Sequence, residues 1–246
     1  TSAVGGTIYA IGGYDGSSIV ATMEAYGSSA NTWNTKAPML TARQALAAAT
    51  LGSTIYAIGG ASPNEIATVE AYDPATNTWS AKAPMSTARF SLAAVAVGGK
   101  IYAMGGQANG CVISSVLEAY DPATNSWTTR ASMPTARGSL AAAVVGGTIY
   151  AIGGTACGPS LATVEAYDPA TNSWTTKASM PTARQGLVVA VVEDIIYAIG
   201  GFGASNLTTV EAYDPATNTW TANASMPTAR ANLGVGVVGG TIYAIG

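Results

Sequence analysis

Residues 148–184 read TIYAIGGTACGPSLATVEAYDPATNSWTTKASMPTAR, and the rest of the chain is this stretch again with small changes. The opening heptad recurs as TIYAIGG at 7 and 54, KIYAMGG at 100, IIYAIGG at 195 and a clipped TIYAIG at 241. Glu-Ala-Tyr begins at 24, 70, 118, 165 and 211, Trp stands at 33, 79, 127, 174 and 220, and Thr-Ala-Arg ends at 43, 89, 137, 184 and 230. From each Glu to the next Ile-Tyr the spacing is constant (24 to 55, 70 to 101, 118 to 149, 165 to 196, 211 to 242), so all length variation falls between Gly-Gly and Glu. Self-similarity at a fixed period overrides a domain count based on length, and residues 1–246 are expected to form a single domain of repeated units.

Each unit reads as four short strands. The first, such as LAAAVV at 140–145, meets the second across a Gly-Gly pair suited to a two-residue hairpin turn with positive φ. The third, such as ATVEAY at 162–167, turns through DPATN into a fourth that begins SWTT. Asp bonds the backbone that follows it and Pro pre-sets the φ of the turn, so Asp-Pro is a turn signal with a mechanism. The result is an antiparallel four-stranded meander. Apolar residues occupy both faces of the second strand (Ile149 and Ala151, Tyr150 and Ile152), which suits a sheet packed between two neighbouring sheets. The first strand is rich in Ala, Gly and Val (Ala47–Ala49, Ala141–Ala143, Gly234, Gly236), as crowding at a central axis requires.

IYAIGG, then EAYDPATNTW, then MPTAR at a period of 46 to 48 residues resembles the kelch repeat, a blade of a β-propeller, over essentially the whole chain. The first repeat departs from the pattern, with GSSANTW in place of DPATNTW. The near identity of the repeats is that of a recently amplified or consensus-designed array. The resemblance implies an all-β propeller acting as a binding module. The family also holds galactose-oxidase-like enzymes, whose copper needs His ligands that this chain lacks, and sugar epimerases, which keep a carboxylate- or Arg-based isomerase as an alternative.

Six copies of the Ile-Tyr motif stand against five of everything else. Read as second, third and fourth strands, then four complete units, then a first and a second, the chain closes as five blades if Ala231–Val238 supplies the innermost strand of the opening blade. That pairing of N- and C-terminal strands leaves one TIYAIG surplus. Either the array was trimmed at an arbitrary point of its period, or the extra copy competes for a slot or exchanges with another molecule.

Charged residues make up only 9% of the chain and the net charge is −3, which offers no footprint for nucleic acid or an anionic membrane. No apolar run is long enough to span a bilayer. A surface resting on Thr, Ser and Asn points to an extracellular or cell-surface setting, and a monomer is expected unless the extra TIYAIG exchanges between molecules. His is absent, and with it the usual general base and the commonest metal ligand, so neither metal nor cofactor is expected. The five Glu (Glu24, Glu70, Glu118, Glu165, Glu211) match the five Arg (Arg43, Arg89, Arg137, Arg184, Arg230) in number. The Arg set is either an anion trap or, as a feature every blade shares, a set of structural pairs with those Glu. Glu193 and Asp194 replace Gly-Gly and read as a charged hairpin tip. Cys111 and Cys157 lie in variable loops of adjacent repeats, where a disulfide, free thiols or an under-ligated metal are all open.

Function is expected where the repeats differ. The second-to-third and unit-to-unit connections of such a meander emerge at one end. They carry the only three aromatics outside the repeat template, Tyr14, Phe90 and Phe202. With Asp15, Gln44, Asn64, Glu65, Gln107, Asn109, Gln185, Asn206 and Asn232 they form an aromatic, amide-rich candidate surface for a glycan or a protein segment.

Overall fold

The computed structural model describes residues 1–246, and every regular element in it is a strand. Five antiparallel four-stranded blades follow one another: Ser2–Val4 to Thr32–Lys36, Ala47–Leu51 to Thr78–Lys82, Ala93–Val97 to Ser126–Arg130, Ala141–Val145 to Ser173–Thr176, and Val188–Val192 to Thr219–Asn223. This is a β-propeller. A small extra hairpin, Gln107–Ala108 with Val112–Ile113, decorates the third blade.

Register follows from the hairpins. Gly146 and Gly147 both take positive φ, which closes the two-residue turn and sets Val145 opposite Thr148 and Ala143 opposite Tyr150. In the fifth blade Glu193 and Asp194 hold the same conformation (φ 50° and 62°) without the freedom of glycine, so the charged pair is a hairpin tip. At the other turn Asp73 Oδ1 accepts from Ala75 N at 2.9 Å, and Asn77 (φ 55°) accepts from the Tyr72 hydroxyl at 2.8 Å. The first blade keeps the second device, Tyr26 to Asn31 at 2.9 Å, without the aspartate.

The core lies between blades. Ile149, Tyr150, Ala151 and Ile152 are all buried, on both faces of their strand. One apolar cluster joins Ala47, Tyr56 and Val69 of the second blade to Ile101, Ala103 and Tyr120 of the third. Another joins the third to the fourth in the same way. The junctions are stitched by repeated polar contacts: Trp127 Nε1 donates to Ala83 O at 2.8 Å, and Ala83 N donates to Asn125 Oδ1 at 2.9 Å.

The closure differs from the expectation. The opening blade owns its innermost strand, Ser2–Val4, paired with Thr7–Tyr14, so Ala231–Val238 is not needed there. Gly234–Val238 instead folds back on Thr241–Ile245 as a separate two-stranded hairpin, seated between the fifth blade and the first. Its inner strand presses directly on the first blade. A Cβ at Gly236 would come within 2.7 Å of the Ile8 side chain, and the Thr1 hydroxyl donates to Val235 O and accepts from Val235 N, both at 2.9 Å. Pairing across Gly239-Gly240 closes a loop of two residues, far less costly in entropy than pairing across nearly the whole chain. The sixth copy of the motif is therefore not surplus: it is the second strand of a sixth, half-built position in the ring.

Candidate functional site

At one end of the ring, the residue after each of the first four repeat arginines pairs with the residue after the Gly-Gly of the next blade. Gln44 pairs with Ala61, Phe90 with Gln107, Gly138 with Thr155 and Gln185 with Phe202, each by two backbone hydrogen bonds of 2.7–3.1 Å. The two sets of connections that carry the variable residues thus meet on one face.

One position further on stand Ala45, Ser91, Ser139, Gly186 and Asn232, all with φ between 50° and 57°. Each backbone N–H after the first donates to the carbonyl of the preceding member at 2.8 Å, so these five residues form an arc of peptide groups around the channel mouth. Sequence reasoning missed this arc. Its trace is the run of small or Asn residues at that position, which tolerate a left-handed backbone.

Four of the expected residues converge. Gln185, Phe202, Asn206 and Asn232, with Ser139 and Gly186 of the arc, line a cavity of about 270 Å³ beside the half-built position. No charged side chain lines it. Phe202 remains 40% exposed, an apolar surface open to a ligand. The others are distributed around the face. Asn109 donates to Asn64 at 3.2 Å, linking the loops of the second and third blades. Glu65 lies in that second-blade loop, bridged to Ala61. Tyr14 extends the second strand of the first blade and is 59% exposed. Asp15 braces its own loop: its Oδ1 accepts from Ser17 N, Ser17 Oγ and Ser18 N at 2.8 Å, which lowers its pKa to about 2. Cys111 and Cys157 are joined as a disulfide between the third and fourth blades, with Cα atoms 6.0 Å apart. A wider cleft of about 600 Å³ lies at the opposite end, where Lys100 and Asp168 face the turns of the third and fourth blades.

Four of the five repeat arginines are not free to trap anions. Arg43, Arg89, Arg137 and Arg184 are fully buried, and each pairs with the Glu of the blade it enters: Glu70, Glu118, Glu165 and Glu211. Arg89 also donates to the carbonyls of Gly105, Val116 and Ala103 at 2.8–3.2 Å, so most of its donors have acceptors. Burial lowers the pKa of each of these guanidiniums, and the facing carboxylate opposes that shift. Arg230 and Glu24 make no ion pair: Arg230 enters the half-built position, which has no third strand, and Glu24 is exposed on the first blade. No three carboxylates or cysteines gather into a metal-holding group.

Four-stranded blades packed face to face, a loop-built face and arginines locked between sheets define a β-propeller. The model of the KLHDC2/KLHL20/DRC7 Kelch-repeats domain matches residues 81–246, and that of the Kelch motif matches 1–40 and 42–86. The chain belongs to the kelch-repeat family. Comparison with curated proteins gives no match. Kelch propellers are commonly protein-interaction modules and are generally non-catalytic.

Proposed function

We propose that the protein is a non-catalytic binding module that takes a protein or glycan ligand on the loop face, as a single chain in an extracellular or cell-surface setting. The observation that carries this reading is the cavity beside the half-built position, where Phe202 stands among Gln185, Asn206 and Asn232 on a rigid arc of backbone. An aromatic plane flanked by amides favours uncharged, hydrogen-bonding ligands such as sugar rings or a neutral peptide segment. The absence of Lys and Arg from the variable loops speaks against an acidic peptide there. The disulfide between Cys111 and Cys157 and the low content of charged residues support an oxidising compartment.

The test is a glycan and peptide array probed with the intact protein and with folded Phe202→Ala and Tyr14→Ala variants. Loss of an exposed aromatic anchor from a binding site weakens a hit at least about tenfold. A hit lost in Phe202→Ala and kept in Tyr14→Ala supports the cavity as the site. Silence from all three proteins, or hits that they share equally, leaves a scaffold without a ligand on this face.

A further inference from the structure

The connections between second and third strands lie side by side on the loop face, and from the second blade to the fifth each is tied to the next. Asn109 Nδ2 donates to Asn64 Oδ1 at 3.2 Å between the second and third blades, and Ser160 Oγ donates to Phe202 O at 2.8 Å between the fourth and fifth. Between the third and fourth the tie is covalent, the Cys111–Cys157 bridge. Both cysteines are exposed, as are Gly110 and Val112 beside one and Ala156 and Gly158 beside the other. Thiol–disulfide exchange needs access for the attacking thiolate, and this bridge is open to it.

The bridge also holds its two loops in a conformation that their residues do not favour. Among the non-glycine residues of these connections, only Cys111 and Cys157 have positive φ, 64° and 62°. A left-handed backbone is costly for such a side chain and persists only where the surroundings over-determine it. Cys111 ends the turn of the extra hairpin, whose strands Gln107–Ala108 and Val112–Ile113 are two residues each and too short to hold themselves. Cys157 stands in the loop that leads to Ser160, the residue that holds the Phe202 carbonyl. Beneath the loops the same two blades are joined without the bridge, by the buried Arg137–Glu165 pair and a continuous apolar cluster. Opening the bridge therefore frees the loops and leaves the junction closed.

We propose that Cys111–Cys157 is a redox-responsive latch: a dithiol reductant opens it, the third- and fourth-blade loops relax, and the Ser160 contact passes the change to Phe202. A thiolate of the reductant attacks one sulfur and the S–S bond breaks. The reductant's second thiolate then resolves the mixed disulfide. The protein gains two electrons and two protons as two thiols, and the reductant becomes a disulfide. In an oxidising setting the loops stay latched and Phe202 is held in place; a dithiol loosens both. The inference concerns loop conformation and does not depend on which ligand the loop face takes.

The test is dithiothreitol added to the intact, folded protein, read by thiol titration and by amide exchange and chemical shift in NMR. Both cysteines should titrate as free thiols without denaturant. Amides of Gln107–Ile113 and Leu161 should then exchange at least about tenfold faster, with those of Thr148–Ile152 unchanged. The Gly203 amide, which shares its peptide group with the Phe202 carbonyl, should shift. In Ser160→Ala, reduction should loosen the two loops as before and leave Gly203 unmoved; a shift that survives this substitution would overturn the relay. The Cys111→Ser, Cys157→Ser double variant should match the reduced protein and ignore the reductant. A bridge that resists the dithiol until the protein unfolds would overturn the proposal. So would reduction that leaves the loop amides as they were, or that loosens Thr148–Ile152 as much as the loops.

Discussion

The junction between the second and third blades and the junction on either side of the C-terminal hairpin are written in the same residues and built to different degrees. At the first, Arg89 is buried against Glu118, Trp127 reaches Ala83, and Tyr56 meets Tyr120 at 5.8 Å. Around the hairpin, Arg230 has no carboxylate, Glu24 is exposed, and Trp33 is 45% exposed. The difference shows that the repeat signature is the chemistry of junctions rather than of blades. Each repeat contributes half of an interface and depends on its neighbour for the rest, as in other quasi-one-dimensional arrays.

The largest expected contrast is between two chemically identical substitutions. Glu118→Gln leaves a buried guanidinium without its counter-charge and should cost about 3–5 kcal/mol, whereas Glu24→Gln should change stability by less than about 0.5 kcal/mol. Denaturant unfolding of the two variants measures both. Equal costs would break the comparison.

A smaller contrast is expected at the indoles. Trp127→Phe removes the bond to Ala83 O and should destabilise by about 1 kcal/mol or more, while Trp33→Phe, with no such bond, should be close to neutral. Trp79→Phe, which loses its 2.8 Å bond to Ala37 O, should follow Trp127→Phe.

The gentlest probe is alkali. Burial, with Tyr150 and Asp214 nearby, raises Tyr213 to about 12, and burial also raises Tyr72, Tyr120 and Tyr167. The neutral phenol is the form the fold favours. Its contribution is therefore fully present below the unfolded-state value near 10 and is lost as pH rises through about 12. Circular dichroism should report unfolding in that window together with growth of phenolate absorbance. Phenolate formed well below it, in a folded protein, would contradict the packing.

Much of this was legible in the residues. The period gave the blades, the two-sided hydrophobicity of IYAI gave a sheet between sheets, and the equal numbers of Glu and Arg suggested pairing. The closure was not legible, because Ser2–Val4 is too short to show a strand period and only the fold reveals that Gly236 must lie against Ile8. Nor was the convergence of Gln185, Phe202, Asn206 and Asn232, or the turn in which the Asp15 carboxylate holds Ser17 and Ser18. Both depend on loop backbones whose course local sequence does not fix.

Six copies of the motif make six positions in the ring, and the two-stranded one formed by Gly234–Val238 and Thr241–Ile245 is the least protected. Native-state hydrogen exchange read blade by blade tests it most directly. Amides of Thr54–Ile58, Lys100–Met104 and Thr148–Ile152 should exchange slowest, and those of Thr241–Ile245 faster by orders of magnitude. Protection of Thr241–Ile245 equal to that of the interior second strands would contradict the account.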